Sequence, residues 1–205
     1  YFNENRYQFY NRTKTTEKVD TNDFRTWDLQ TLFKEIHHYF HTSLQNEKEL
    51  QKIAITEFSD ILDIQYSSKT FKPTLFDFLA NNALTFYETS ETSITKPAYQ
   101  FKIDSPTYLS DANVFSNLKI TSKDSLSLQL HALNIYQKLI AFHQKENNIN
   151  ALVSNDIERL KFVHQHAIFD TKENVLIATL RSTKENYKNH EASGLYAFEI
   201  VKKHQ

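Results

Sequence analysis

A single glycine, Gly194, is the feature that most limits what this chain of 205 residues can fold into. Glycine is the residue that most readily adopts positive φ angles, and tight β-hairpin turns require such angles. The scarcity of glycine therefore argues against an all-β fold with many hairpins. It also excludes the glycine-rich phosphate loops of nucleotide-binding proteins and the nucleophile elbow of serine hydrolases, each of which needs at least two glycines.

The charge and cysteine content narrow the function classes further. The chain has 24 Lys and Arg against 25 Asp and Glu, a net charge of −1. Because no overall positive field attracts nucleic acid or an anionic membrane, we expect neither as a partner. The absence of cysteine excludes disulfides, thiolate zinc sites and a cysteine nucleophile. No apolar run approaches the roughly 18 residues of a membrane span, so we expect no direct membrane insertion by this segment.

Apolar residues recur at helical spacing along most of the chain, which predicts an all-α fold of about seven helices. The first helix is predicted to follow Thr26 as its N-cap and to end near Asn46. Helical spacing resumes around Glu47 and breaks near Ile55. It then continues as an amphipathic helix through Ile64.

A central helix is predicted to begin directly after Pro73. Thr74 is its expected N-cap, and Asp77, three residues later, completes a capping box. The apolar residues that follow, as far as Tyr87, cover more than one face of the helix. We therefore expect this helix to be largely buried, with Phe78 in the core.

Residues 88–123 are predicted to form a long irregular crossover, because they contain two prolines and many serines and threonines. A short helix is expected within it, near Asp111–Asn117. From Ser125 onward the predicted helices follow one another in antiparallel pairs, which are the units of helical solenoids. The expected architecture is thus a helical bundle or an array that resembles tetratricopeptide repeats.

The last two predicted helices carry further expectations. Asp170 and Glu173 are predicted to form a reciprocal cap, and the final helix is predicted to begin near Glu191. Gly194 lies inside that helix, where the close approach of a neighbouring helix would explain it. The side chains expected to face inward from the final helix are Leu195, Phe198 and Val201.

The chain is expected to be a single helical domain or array, residues 1–205, from a longer protein. Its parts are an N-terminal aromatic and basic segment with a linker (1–22), a first helical part (23–87), the crossover (88–123) and the paired helices (124–205). Since the chain contains no methionine, Tyr1 is not expected to be a translation start.

Histidine is the residue type that most suggests chemistry, and His37, His38 and His41 form a cluster on the first predicted helix. Because His37 and His41 are four residues apart, both imidazoles could bind one metal ion, as in zinc proteases. The protease motif has its general base, a glutamate, where this chain has His38, and the spacing fixes no third ligand. A solvated surface cluster is the simpler interpretation, so His37 and His41 are the metal candidates and no cofactor is predicted.

The other chemistry-bearing features have simple structural interpretations. They are the pairs Asp60/Asp63, Asp104/Asp111 and His164/His166, and the aromatic and basic run at residues 6–12. Acids at the first pair fit the solvated face of an amphipathic helix. The aromatic run resembles a base-stacking platform, but docking of its rings into helix grooves is the simpler interpretation. We therefore expect no catalytic residue and no enzyme activity.

Four blocks of the sequence carry a family resemblance. They are YFNENRYQFYNRT (1–13), DFRTWDL (23–29), KPTLFDFLA (72–80) and ITKPAY (94–99). In this order and spacing they resemble the N-terminal helical region of the very large α2-macroglobulin-like proteins of Bacteroidetes-type bacteria. The resemblance covers nearly the whole chain.

This resemblance implies a parent protein in the cell envelope, secreted or lipid-anchored and facing the periplasm, whose later β-sandwich domains and bait region trap proteases. The present segment would then be a non-catalytic helical scaffold ahead of them. Its partners would be other domains of the same parent chain, and a protein partner or protease. The reactive thioester of the family requires a cysteine, so no thioester residue can be assigned here. The alternatives are a free-standing helical-repeat protein-binding domain and a histidine-metal enzyme.

Overall fold

The computed structural model describes residues 22–89 and 97–203, together with Asn5, Tyr7 and Asp20. Over these residues the fold is all-α, as predicted, with no β-strand. The α-helices are α1 (Leu29–Ser43), α2 (Glu47–Leu50), α3 (Tyr66–Phe71), α4 (Leu75–Tyr87), α5 (Ala112–Ser116), α6 (Leu128–Lys145), α7 (Ile149–His166), α8 (Lys172–Asn186) and α9 (Ser193–Lys202). Short 3-10 helices span Phe24–Thr26, Ile55–Phe58 and Pro106–Leu109. None of the helices described has both the length and the apolar character needed to cross a membrane.

Helix α1 begins later than predicted. Asp28 is its N-cap, with its carboxylate accepting a hydrogen bond from the Thr31 backbone N–H at 2.7 Å. The prediction of Thr26 as N-cap is wrong, because Thr26 ends a separate 3-10 turn that Asp23 caps. Trp27 then adopts an extended conformation between the two helices.

The predicted helix through Ile64 is also wrong. Helix α2 ends at Leu50, and the chain is extended at Ala54 before a single 3-10 turn. The Ile55 N–H donates to the Pro73 carbonyl, and the Leu75 N–H donates to the Ile53 carbonyl, at 2.8 and 2.9 Å. These bonds to the chain ahead of α4 take the place of helical ones. The Ile61 side chain, predicted to be part of an apolar stripe, is 78% exposed.

The capping box at the start of α4 is confirmed. The Thr74 hydroxyl accepts from the Asp77 N–H at 3.3 Å, and the Asp77 carboxylate accepts from the Thr74 N–H at 3.0 Å. Asp77 is fully buried and also bonds His143 of α6 at 2.7 Å. Helix α4 is central, as expected, but its most buried phenylalanine is Phe76 and not Phe78. The two rings point to different sides, because two residues correspond to about 200° around a helix.

The crossover is packed into the core wherever the structure describes it. Phe101, Ile103 and Leu109 are buried, and the predicted short helix is confirmed as α5, with Asp111 as its N-cap. Residues 90–96 of the predicted crossover lie outside the described residues. The described part is therefore an ordered connection that contributes apolar side chains to the interior.

Helix α6 begins after Ser127, whose hydroxyl accepts from the Leu130 N–H at 3.2 Å. The predicted start at Ser125 is wrong, because Ser125 lies in a turn and its carbonyl bonds the side chain of His131. At the other end, the Asn147 N–H donates to the Gln144 carbonyl. This bond belongs to the turn that reverses the chain into α7.

That turn is a Schellman motif built on Asn147. The second bond of the motif joins the Asn148 N–H to the His143 carbonyl at 3.0 Å. Asn147 has a φ of 56°, the left-handed conformation that usually favours glycine. The Asn148 side chain then caps α7 by accepting from the Ala151 N–H. A chain with one glycine thus uses asparagines to connect its two longest helices.

Helix α8 has no reciprocal cap. The predicted pairing of Asp170 with Glu173 is wrong, because the N-cap is Thr171 and its side chain makes no capping bond. The Glu173 carboxylate instead bonds His164 at the end of α7. Since that partner lies in another helix, the contact joins α7 to α8 and contributes nothing to the helix start.

The predicted inward face of α9 is wrong in part. Phe198 and Val201 are more than half exposed, whereas Tyr196 is fully buried and Leu195 is partly buried against the core. A Cβ atom built on Gly194 meets nothing within 4 Å. The expected close approach of a neighbouring helix at this glycine is therefore absent.

One apolar core joins most of the described chain. Its buried residues come from 23–87, 88–123 and 124–205 alike, so the core crosses the predicted internal boundaries. Helix α6 packs against α7, and α8 packs against α9, as expected for consecutive pairs. A second, small cluster lies under α1 and consists of buried Leu29, Leu32 and Phe33 with partly buried Trp27, Ile36, Phe86 and Leu128.

Candidate functional site

A groove of about 1400 Å³ lies between α1, α2, α4 and α6. Its apolar lining consists of Phe40, Leu44, Tyr87, Ile135 and Phe142, and its polar lining includes Gln45, Lys48, Gln51, Asn134, Gln137 and Lys145. Two ion pairs line the groove, Lys138 with Glu47 at 2.9 Å and Lys52 with Glu49 at 2.8 Å. The groove therefore combines an apolar surface with nearly balanced charges.

One end of the groove holds what we call the histidine cluster, His37, His41 and His131 with Tyr87. The His37 Nδ1 atom lies 2.7 Å from the Tyr87 hydroxyl. The rings of His37 and His131 are stacked, with centroids 4.0 Å apart, and the His41 ring lies 6.0 Å from that of His37. His131 Nε2 is 2.9 Å from the Ser125 carbonyl oxygen. A carbonyl only accepts hydrogen bonds, so Nε2 of His131 carries the proton.

The surroundings of the stacked rings of His37 and His131 favour their neutral forms. The pKa of His37 is lowered to about 4, mainly by burial and also by like-charge repulsion from His131, His41 and His38. Burial also lowers the pKa of His131, against the opposing effect of the Ser125 carbonyl. At neutral pH the stacked pair is therefore two uncharged imidazoles.

The metal candidates His37 and His41 are brought together with His131, a residue that no sequence spacing links to them. The two stacked rings lie in planes inclined by 29°, and one ring nitrogen in each of His37 and His131 is already hydrogen-bonded. Over the residues that the structure describes, no group of three or more His, Asp or Glu side chains is arranged to hold a metal ion. The cluster fits packing between helices better than coordination.

A second cavity, of about 510 Å³, lies beside α3, α4, α6 and α7 and contains an acid that the sequence did not reveal. The carboxylate of Glu88 accepts a hydrogen bond from the Tyr136 hydroxyl. Burial raises the pKa of Glu88, and nearby Glu158 adds to the effect, while Tyr136 and two lysines oppose it. Glu158 itself is exposed, so the two acids lack the enclosed setting of a catalytic acid–base pair.

The acid pairs predicted from the sequence are not assembled into a site. Asp60 and Asp63 are exposed beside a shallow cavity of about 530 Å³, in an irregular stretch instead of the predicted helix. Asp111 is occupied as the N-cap of α5, where it accepts bonds from two backbone N–H groups. Asp104 is exposed.

His164 and His166 point to separate partners. His164 bonds the Glu173 carboxylate, and Nδ1 of His166 lies 3.3 Å from the Gln129 amide. Each residue therefore joins α7 to a different neighbouring helix. The aromatic and basic run at residues 6–12 lies outside the described residues, except for Tyr7.

Comparison with models of protein families, with curated proteins and with solved structures found no match to this chain. The features that bear on function are therefore the groove, the histidine cluster and the buried polar contacts.

Proposed function

We propose that this chain is a non-catalytic helical scaffold and interaction region of a large α2-macroglobulin-like protein of the cell envelope, a protease-inhibitor-like parent. In this proposal the parent is periplasmic or lipid-anchored. The partners of the segment are other domains of the same chain and a captured protein or protease. Neither a cofactor nor a catalytic residue is assigned to it.

The observation that most supports the scaffold role is the set of buried hydrogen bonds that Arg159 makes. Its guanidinium is fully buried and donates to the carbonyls of Tyr108 and Ser110, at 2.8 and 2.9 Å, and to the carboxylate of Asp156. The charge also lies 4.5 Å from the centroid of the Phe115 ring in α5. An arginine placed in this way positions the crossover on α7 and is shielded from any substrate.

A second buried polar pair has the same character. Asp77 caps α4 and bonds His143 of α6, and both side chains are almost completely inaccessible to solvent. Asp77 belongs to the block 72–80 of the resemblance, and Asp28, the N-cap of α1, belongs to the block 23–29. Two of the four blocks thus contribute residues that define helix starts, which suits a segment whose role is to hold a shape.

The proposed parent protein can be tested by sequencing the gene that encodes this chain. We expect a secretion or lipid-attachment signal upstream of Tyr1 and macroglobulin-like β-sandwich domains downstream of Gln205. A stop codon directly after Gln205 would contradict the proposal.

The absence of catalysis is tested on the purified chain with peptidase, esterase, glycosidase and phosphatase substrates. We expect no turnover above that of a blank. Glu88 is a partly buried carboxyl that lines a cavity and whose pKa is raised by burial, so Glu88→Gln is the informative variant. Turnover that the wild type shows and Glu88→Gln loses would replace the scaffold proposal with an enzyme.

The alternative, a stand-alone helical-repeat protein-binding domain, is favoured by the apolar lining of the large groove. It predicts that the chain binds a protein partner. Replacing Asn134, which lines the groove, by Trp should abolish that binding, whereas replacing exposed Asn113 by Trp should not.

A histidine-metal enzyme is the third candidate. Calorimetry would support it if zinc bound below micromolar concentration and His37→Ala abolished the binding.

A further inference from the structure

Helix α1 is joined to the rest of the molecule by a small contact of its own. The Phe33 ring lies 4.9 Å from that of Phe86 in α4, and the Phe40 ring lies 5.6 Å from the same partner. Leu128, at the start of α6, packs against the same small cluster. Phe40 and the C-cap Leu44 also reach the main core. The buried residues within α1 itself, Leu29, Leu32 and Phe33, all belong to the small cluster, so α1 has less apolar contact to lose on leaving than the helices of the core have.

The histidine cluster lies in this contact. His37 is on α1, whereas its two closest ring partners, Tyr87 and His131, are on α4 and α6. A cavity of about 30 Å³ adjoins the three side chains, enough for about one water molecule. The stack of His37 on His131 is thus a joint between α1 and the body of the fold.

Most of the charged and titratable groups around the joint are basic. On α1 they are Lys34, His38 and His41; on α4, Tyr87; on α6, His131 and Lys138; on α2, Glu47 and Lys48; and before α6, Asp124. Glu47 is already paired with Lys138. Asp124 favours a charge on His131 but is itself buried, where it accepts the Phe101 N–H at 3.0 Å. No carboxylate is recorded in contact with His37 among the described residues.

We propose that protonation of the histidine cluster releases α1 from α4 and α6 in mildly acidic conditions, while the main core stays folded. Two imidazolium rings stacked face to face repel each other, and the enclosed joint hydrates them poorly. Release separates the two rings and exposes both to water. The cluster would then make the attachment of α1 a pH-sensitive device.

The direction of the effect follows from linkage. The docked helix holds the pKa of His37 at about 4, against 6.5 for a free histidine. The released state therefore binds more protons, and the docking free energy is complete above pH 6.5 and is lost as the pH falls towards 4. With these two values, His37 alone makes release about 20-fold more favourable at pH 5 than at pH 7.

The test is hydrogen–deuterium exchange of the 205-residue chain at pH 7 and pH 5, corrected for intrinsic exchange rates. Between pH 7 and pH 5 we expect the protection of α1 amides from exchange to fall about 20-fold. The protection of α7 amides should change less. Trp27, the one tryptophan of the chain, packs in the small cluster and reports the same event by fluorescence. Equal protection of α1 at both pH values would overturn the proposal.

The double variant His37→Gln, His131→Gln removes the titrating pair and retains hydrogen-bonding groups. Its α1 protection should no longer depend on pH, whereas the control His38→Gln, an exposed histidine of the same helix, should behave as the wild type. A double variant with the wild-type pH response would refute the proposal.

If the double variant leaves α1 undocked at every pH, an NMR titration of the histidines in the wild-type protein provides the test. Ring pKa values of 6.5 or above for His37 and His131 would then overturn it.

Discussion

The carboxylate of Asp156 on α7 accepts a hydrogen bond from the hydroxyl of Tyr196 on α9, with 2.7 Å between the two oxygens. Both side chains are fully buried. The other oxygen of the carboxylate bonds Arg159, one turn along α7. Burial, and then the charge of Asp156, raises the pKa of Tyr196, so its phenol remains a neutral donor. One carboxylate thus neutralises a buried arginine and attaches the last helix.

Replacement of Asp156 by Asn should destabilise the fold strongly. The substitution leaves the guanidinium of Arg159 buried without its counter-charge, which typically costs about 3–5 kcal/mol. Urea denaturation followed by far-UV circular dichroism would measure the loss. The control is Glu158→Gln on the same helix, whose exposed ion pair with Lys161 should contribute less than about 1 kcal/mol. Equal losses in the two variants would contradict the role assigned to Asp156.

Phe76→Ala should cost about 3–5 kcal/mol, the usual range for a fully buried phenylalanine. The Phe76 ring is inaccessible to solvent and meets the edge of the Phe142 ring at 5.8 Å. Phe78→Ala is the matched control, because Phe78 lies in the same helix but lines a cavity and is only partly buried. Its loss in the same urea experiment should be clearly smaller. A larger loss of stability for Phe78→Ala than for Phe76→Ala would contradict the assignment of the Phe76 face of α4 to the core.

Asn147 should be replaceable by Gly but not by Ala. The left-handed φ of 56° costs an alanine about 1 kcal/mol, which corresponds to a fall of ~3 °C in Tm for a chain of this size. Glycine has no such penalty, so Asn147→Gly should keep or raise the Tm. Calorimetry of both variants tests this, with Asn113→Ala, at an exposed position of α5, as the control. An Asn147→Ala variant with the Tm of the wild type would contradict the role of Asn147 in the Schellman turn.

Glu88→Gln should stabilise the protein more at pH 7 than at pH 4. Burial raises the pKa of Glu88 above its ordinary value of 4.5. Stability from the protonated form is therefore complete at low pH and is lost as the pH rises through the folded pKa. Glutamine still accepts the Tyr136 hydroxyl and carries no charge to bury. We expect the difference in urea midpoint, variant minus wild type, to increase with pH, and a constant difference would contradict the assignment.

Local signals predicted much of the helical content correctly. The Thr74–Asp77 capping box and the short helix near Asp111–Asn117 were both predicted from neighbouring residues, and the structure confirms both. The failures at Thr26 and Ser125 have the same cause. Several residues near each helix start could have capped it, and in the fold Asp28 and Ser127 do so.

The candidate site was less predictable. His37 and His41 stand out by their spacing on one helix, but His131 joins them only because α6 packs beside α1. Glu88 likewise becomes a partly buried acid only where Tyr136 lies against it. Neither partner has a sequence signal, since each pair is separated by tens of residues in the chain.

The sequence by itself determined that this protein is helical, through its apolar spacing, its capping residues and its single glycine. It also marked the central helix and the ordered short helix in the crossover. Only the tertiary structure decided which face of each helix is buried, as Phe76, Tyr196 and exposed Phe198 demonstrate. The physical reason is that helix formation depends on residues a few positions apart, whereas burial and pKa depend on side chains that meet across helices.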